Sequence, residues 1–397
     1  MTANSKAGAF SLQAAGAGLL AAFVGFFGSF AVVLQGLIGI GASQAEAASG
    51  LMALSLSMGL CGVYLSLKTR LPVSIAWSTP GAALLATTGV VEGGFAAAVG
   101  AFLITAALIV VAGLWRPLGR AVAAIPPALA NAMLAGVLVT FCLAPVRAVA
   151  EGPELALPVI LAWAITWRFA RLYAVPAALL AAVVMIVATV DLPGFGGMAL
   201  LPQPVLVTPV FSVAALVGIA LPLFIVTMAS QNIPGIVVLK ANGYQPAPGP
   251  LFATTGVFSL LSAPFGGHVV NLAAITSALC AGEDAQADPG RRYWAAAVSG
   301  LAYIVFGLLA VAITAFAAAV PAYLILTVAG LALLGAFGSA LSEALVSAED
   351  RLAAVATFLV TASGLSFLGI GSAFWGLAAG LAILTLTRWR PGQGKTG

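Results

Sequence analysis

LPVSIAWSTPGAALLATTG, residues 71–89, decides the fold. Leu71 to Trp77 is β-branched in part and interrupted by Pro72, a poor start for a helix. Ser78 or Thr79 then makes a good N-cap, Pro80 suits the first helical position, and Gly81 allows close approach. A helix is therefore expected to begin at Thr79-Pro80, partway through an apolar run, after an extended segment. The competing reading is an ordinary helix kinked at Pro80, and the order of cap and proline favours the break. Non-helical backbone at membrane depth is tolerated only where protein or a watery cavity surrounds it.

The surrounding chain is membrane-like throughout. Of 397 residues, 62% are hydrophobic and 7% charged, against about 25% charged in an ordinary soluble domain. Gly (45) and Pro (22) are plentiful, as membrane helices tolerate. At ~20 residues per span, the apolar stretches read as about fourteen spans. The first seven cover 16–41, 47–67, 72–90, 94–115, 121–146, 154–170 and 173–191. The second seven cover 209–239, 249–262, 264–281, 292–317, 321–342, 351–368 and 371–387. The Gly- and Pro-rich linker 192–208 separates halves 1–191 and 209–397. With the N-terminus inside, fourteen of the fifteen Lys and Arg fall on the cytoplasmic side, among them Lys6, Arg116, Arg120, Arg390 and Lys395, and Arg147 alone falls outside. The net charge of +4 is thus a topology signal, with no basic stripe for nucleic acid. The expected location is a bacterial-type inner membrane, multi-pass, with both termini cytoplasmic. No cleavable signal is expected, because the first apolar run is too long for one.

An odd number of spans per half turns the second half over, the condition for an inverted repeat. Val24-Gly25 echoes Val217-Gly218, Gln35 echoes Gln231, and Pro72 echoes Pro264. The tenth span, LSAPFGGHVVNLAAITSALCAG, repeats the broken pattern. Pro264, Gly266 and Gly267 oppose a helix, His268-Val269-Val270 is β-like, and Asn271 can cap a helix starting at Leu272. Two half-helices entering from opposite sides would aim their N-termini at one volume. That makes an anion site without a buried cation.

His268, the one histidine, lies at this second break. It reads as a functional group and a proton-coupling candidate, or as a neutral imidazole bonding the broken backbone. In span eight, Thr227 and Gln231 share a face at i, i+4 spacing and Asn232 adjoins them. These amides could bind a carboxylate or serve as interhelical glue, and Gln35 has the same ambiguity. Trp77 could stack on an aromatic substrate or plug the extended segment. The Phe23-Phe26-Phe27-Phe30 stripe suits packing or lipid contact, with one ring available to a pocket. Glu343, Asp191 and the run Glu283, Asp284, Asp288, Arg291, Arg292 read as solvated. Cys61, Cys142 and Cys280 read as packing residues without a disulfide or metal. No nucleotide, metal or nucleophile motif is present, so neither an enzyme nor a cofactor is expected.

AWSTPGAALLATTG (76–89), ASQNIPGIVVLKAN (229–242) and FGGHVVNLAAITSALCAG (265–282) resemble the benzoate:proton symporter family of BenE type, over about residues 12–388. That family is similar in architecture to the uracil-permease and anion-exchanger group. The resemblance implies an all-α polytopic fold of seven plus seven inverted spans, with spans three and ten broken and contributing short strands. It also implies a core domain (spans 1–4 and 8–11) and a gate domain (spans 5–7 and 12–14). It implicates Trp77, Ser78, Thr79, Pro80 and Gly81, then Gln231 and Asn232, then His268, Val269, Val270 and Asn271. The acidic residues that uracil-permease relatives use are replaced here by Gln231 and His268, so a carboxylate proton carrier does not transfer. The implied activity is import of benzoate or a similar aromatic carboxylate with a proton by alternating access. The rival is an uncoupled or exchanging anion transporter or channel on the same fold. By analogy with related folds, a homodimer is expected.

Overall fold

The computed structural model describes residues 10–115, 117, 126–189, 203–273, 275–365, 367 and 370–388. Lys6, Arg116, Arg120, Asp191, Arg390, Lys395 and linker residues 192–202 lie outside these. The first apolar run forms α1 (Leu12–Phe27) and α2 (Phe30–Gly39), divided at Gly28-Ser29. Next comes α3 (Gln44–Thr69), opened by a capping box. The Ser43 hydroxyl accepts from Glu46 N, and the Glu46 carboxylate accepts from Ser43 N at 2.8 Å. Strand β1 (Ile75–Trp77), α4 (Thr79–Thr88) and α5 (Gly94–Leu114) follow. The half ends with α6 (Pro127–Cys142), α7 (Ala144–Glu151), α8 (Pro153–Phe169) and α9 (Ala174–Thr189).

The second half begins with α10 (Val213–Ala241), which carries two π-helical turns, Leu216–Ala220 and Met228–Asn232. Then come α11 (Pro248–Ser262), β2 (Val270–Leu272) and α12 (Ile275–Ala281). Helices α13 (Tyr293–Leu308), α14 (Ala310–Ala319), α15 (Ala322–Ala344), α16 (Arg351–Ala362) and α17 (Ser372–Arg388) complete the chain. Among the described residues, six helical runs are long and apolar enough to cross a membrane. A bent pair, Pro289–Leu308 with Ala310–Ala317 at 61°, makes a seventh if taken as one span. Long exposed apolar side chains such as Leu161, Ile165, Leu180 and Val187 face outward, where lipid removes the cost of exposure.

Lipid gives helices little hydrophobic reason to associate, so close van der Waals contact must hold them together. α3 and α13 meet through paired glycines. A Cβ on Gly300 would lie 2.6 Å from the Gly59 carbonyl oxygen, and one on Gly59 would lie 2.5 Å from that of Gly300. α2 approaches α4 in the same way, with Gly36 against Ala82.

The helix ends meet in two groups. At one end of the molecule, Arg291 donates to the Phe10 carbonyl (2.7 Å), Tyr244 Oη to the Pro289 carbonyl (3.0 Å), and Arg70 to Tyr293 Oη. Arg388 pairs with Asp350 at 2.8 Å, and Asn131 Nδ2 lies 3.5 Å from the exposed Glu343 carboxylate. At the other, Val207 N donates to the Pro264 carbonyl (2.8 Å) and Val210 N to that of Ala96 (3.0 Å). Val205 N donates to Ser49 Oγ at 2.9 Å, so the described part of the linker is docked by its backbone at two places, Ser49 and Pro264, and Val210 just after it at a third. Gly152 abuts Tyr323, and Gly371 abuts Thr88.

One charged side chain expected to be solvated is not. Arg292 is 4% exposed. Its Nε donates to the Gln286 carbonyl (2.6 Å), Nη1 to that of Ala281 (2.9 Å) and Nη2 to that of Ala287 (3.4 Å). The cause is α12, whose C-terminal carbonyl needs a donor and whose dipole favours a cation there. Burial pushes the nearby Tyr244 phenol up, and the Arg292 charge offsets part of that rise.

Candidate functional site

The extended segments of the two broken stretches pair with each other. β1 and β2 run antiparallel, with Ile75 opposite Leu272, Ala76 opposite Asn271 and Trp77 opposite Val270. The ladder continues at both ends, from Ser78 N to Val269 O (3.2 Å) and from Ala273 N to Ser74 O (3.0 Å). In such a ladder alternate residues turn their N–H groups outward. On β2 those are Val270 and Leu272, and each has a side-chain acceptor. Val270 N donates to Ser259 Oγ of α11 at 2.9 Å, and Leu272 N to Asn232 Oδ1 of α10 at 2.9 Å. This satisfaction lets a two-stranded sheet persist inside a mostly apolar molecule.

Ser78 ends β1 and caps α4. Its Oγ accepts from Gly81 N (3.1 Å) and from Thr227 Oγ1 of α10 (2.9 Å). Pro80 has no N–H to give. Thr79 is half-buried, and neither its N–H nor its hydroxyl makes a hydrogen bond among the described residues. The positive end of α4 therefore keeps one free backbone donor and one hydroxyl, both on Thr79.

The other expected residues divide into scaffold and rim. Trp77 is 1% exposed, its indole N–H donates to Ser29 Oγ (2.8 Å), and Phe26 packs at 5.1 Å between centroids. This arrangement fits a plug. Asn232 is fully buried, with Nδ2 on Met228 Sδ (3.1 Å) and Oδ1 on β2. Asn271 does not cap a helix at Leu272. The strand runs through Leu272 because that residue pairs with Ile75, and the described part of the next helix starts at Ile275. With its amide oriented by its neighbours, Asn271 accepts from Ser78 N and donates to Leu272 O, both at 2.9 Å. Val269 and Val270 are buried ladder residues. His268 is fully buried; its Nδ1 accepts from Val269 N (2.7 Å), its Nε2 is unpartnered among the described residues, and the Phe102 ring lies edge-on at 6.3 Å.

Thr227 and Gln231 do not share an environment. The π-helical turn Met228–Asn232 widens the helix between them. Thr227 stays buried on Ser78, while Gln231 is half-buried and without a hydrogen bond among the described residues. Gln35 of α2 is likewise half-buried and without one. α4 lies between α2 and α10, with Gly36 against Ala82 and Gly81 against Leu223. Polar groups on Thr79, Gln231 and Gln35 thus make no hydrogen bond among the described residues. Phe27, Phe30, Phe316, Leu324, Ile325 and Val328 line a small apolar cleft between the α1–α2 junction and helices α9, α14 and α15, which none of those three polar residues lines.

Sequence reasoning missed Ser29, Ser259 and Arg292. Gly28-Ser29 inside an apolar run was a readable break. Ser259 carried no such mark, since serines in membrane helices commonly bond their own backbone.

A multi-pass membrane protein with two short strands crossing at the start of a helix defines a class, the membrane transporters of this fold. The transmembrane domain of a cyanobacterial bicarbonate transporter, BicA, superimposes with a TM-score of 0.58 at 15% identity, over 92% of this chain and 97% of that one. SLC26A9 does so with a TM-score of 0.57 at 14% identity, over 94% of this chain and 64% of that one. In sequence, the chain is 44% identical over 364 residues to the Escherichia coli inner membrane protein YdcO, covering 92% of this chain and 93% of YdcO. It is 33% identical over 377 residues to the benzoate membrane transport protein of Acinetobacter baylyi, covering 94% of each. The profile of the benzoate membrane transport protein family matches residues 8–386, and the chain belongs to that family. It is a bacterial inner-membrane transporter, not an enzyme.

Proposed function

We propose that the protein imports benzoate or a close aromatic carboxylate together with a proton. The observation that carries the reading is the free donor pair at the start of α4, the Thr79 N–H and hydroxyl, with the half-buried, unbonded amides of Gln231 and Gln35 as the proposed further contacts. A carboxylate there meets the positive end of a helix without a buried Lys or Arg. The benzoate transport protein of Acinetobacter baylyi, similar over 94% of its length, supports that substrate class. His268 is the proton carrier in this reading, because it is buried and its Nε2 is unpartnered among the described residues.

The proposed topology is fourteen spans in two inverted repeats, with spans three and ten broken at mid-membrane and both termini cytoplasmic. The two groups of end contacts support it. Contacts of Phe10, Arg70, Tyr244 and Arg291 form one group, and alternate threading would put all four inside. Contacts of Ala96, Val207 and Pro264 form another, which the same threading would put outside. Movement of a core (spans 1–4 and 8–11) against a gate (spans 5–7 and 12–14) would carry the site between faces. The test is uptake of labelled benzoate into proteoliposomes under an imposed pH gradient. Accumulation that follows the gradient is expected. Uptake indifferent to it removes symport, and trans-stimulation without accumulation replaces it with exchange.

A further inference from the structure

The turn that joins α8 to α9 exposes Trp167, Arg168, Phe169, Arg171 and Tyr173. Exposed Leu157, Leu161 and Ile165 form one stripe along α8 at i, i+4 spacing, and Arg168 stands one turn further on. Leu180, Val184 and Val187 form a second exposed apolar stripe on α9. Both stripes need lipid. The turn between them, flanked by exposed rings, therefore lies where hydrocarbon gives way to headgroups.

Each guanidinium at this turn is held by a ring. Arg171 Cζ lies over Trp167 at 5.3 Å from the ring centroid, and Arg168 Cζ over Phe169 at 5.6 Å. Trp167 is stacked in turn on Trp163, with centroids 5.1 Å apart and planes at 25°. Trp163 packs against the buried cluster that includes Val159 and Ala178. Contact with a ring uses the face of a guanidinium and leaves its in-plane N–H donors open. Among the described residues, neither arginine donates a hydrogen bond or meets a carboxylate. Arg292 is the contrast, since it spends its donors on three carbonyls. Glu154, the acid on α8, stands at the opposite end of that helix, about 20 Å back.

We infer that this turn binds the phosphate of an anionic glycerophospholipid, whose acyl chains lie along the Leu161–Ile165 stripe. The planar fork of a guanidinium matches two phosphate oxygens. A zwitterionic headgroup would bring its own ammonium against the two arginines. Free phosphate could use the same donors but would gain nothing from the apolar stripe. The bound lipid anchors the α8–α9 hairpin at the membrane surface, whatever the transported substrate.

Native mass spectrometry of the purified protein, given equal amounts of phosphatidylglycerol and phosphatidylcholine, tests the site. Wild type is expected to retain phosphatidylglycerol about tenfold or more in preference. Arg168→Gln and Arg171→Gln are each expected to lower that ratio about fivefold. Trp167→Leu keeps both charges but frees Arg171, and the ratio is expected to fall about twofold or more. Lys68→Gln removes one charge from the exposed end of α3 and is expected to leave the ratio within about twofold. A wild-type ratio near one, or a ratio unchanged in both arginine variants, overturns the site. A loss in Lys68→Gln equal to theirs replaces it with diffuse surface charge. An unchanged Trp167→Leu overturns the role of the rings. Displacement of the lipid by an equal concentration of glycerol phosphate reassigns the site to a free phosphate.

Discussion

Gln231 and Asn232 are neighbouring amides to which the structure gives opposite work, and substituting each with alanine separates the two roles. Asn232 is fully buried and holds the Leu272 N–H at 2.9 Å. Asn232→Ala leaves that N–H unsatisfied, at about 1–3 kcal/mol. The void left behind adds on the order of 1 kcal/mol at about 24 cal/mol per Å³. The sum, about 2–4 kcal/mol, is expected to lower the thermal midpoint in detergent by roughly 4–16 °C, on a scale of about 2–4 °C per kcal/mol. Gln231 is half-buried and bonds to nothing among the described residues, so Gln231→Ala is expected to change stability by less than ~0.5 kcal/mol. It does remove a donor for a charged ligand, worth about 1.5–3 kcal/mol. Its KM for benzoate is then expected to rise about 10- to 100-fold. Differential scanning fluorimetry and initial uptake rates on both variants make the comparison. An Asn232→Ala midpoint equal to wild type, or a Gln231→Ala midpoint that falls as far, refutes the division into scaffold and rim.

Three further substitutions probe the same architecture. Ser259→Ala removes the acceptor of Val270 N and is expected to cost about 1–3 kcal/mol, read as a lower thermal midpoint. Gly81→Ala puts a Cβ 2.7 Å from Ser78 Oγ and 2.9 Å from Ser78 Cβ. Displacing that cap costs ~1 kcal/mol, and because Thr79 moves with it, benzoate uptake is expected to fall more than about tenfold in protein that still elutes as a single folded species. Arg292→Leu leaves the carbonyls of Ala281, Gln286 and Ala287 without their donor. Faster amide exchange across residues 282–291 is expected, and an unchanged exchange pattern would return Arg292 to the solvated role.

The start of α4 was legible because its signals are local and redundant. Ser78 before Thr79 and Pro80 offers a cap, a fixed φ and a missing N–H in the right order, and Ser78 is the cap observed. Partnership of the two strands was not legible in residue pattern, because three residues are too few for a period of two to declare itself. The residues gave extended, β-like segments there and the family resemblance implied short strands, but neither carried a register. Asn271 misled because an Asn before an apolar run looks like a cap, whereas ladder pairing with Ala76 carries the strand past it. The π-helical turn before Ile233 has no sequence signature, yet it separates Thr227 from Gln231. Arg292 looked like one of a solvated charge run, and only the position of the α12 carbonyls explains its burial.

The strand pair is a costly object to keep within a membrane, and the way it is made affordable constrains how selectivity can arise. Its outward N–H groups on β2 are taken by Ser259 and Asn232, Ser66 Oγ donates to the Val73 carbonyl ahead of β1 (3.2 Å), and Ser78 already accepts twice. Every one of these bonds would have to break for the same group to hold a substrate, and each break but that of the Thr227–Ser78 bond would orphan a buried backbone group. The crossing is therefore unsuited to direct recognition and well suited to fixing the direction of α4. On the proposed function, discrimination between anions then falls to groups free of that duty, Thr79, Gln231 and Gln35. Exchanging Gln35 or Gln231 for another half-buried polar residue should change which carboxylate is carried while leaving the thermal midpoint in place. A selectivity change that always came with a loss of stability would mean that the crossing itself touches the substrate.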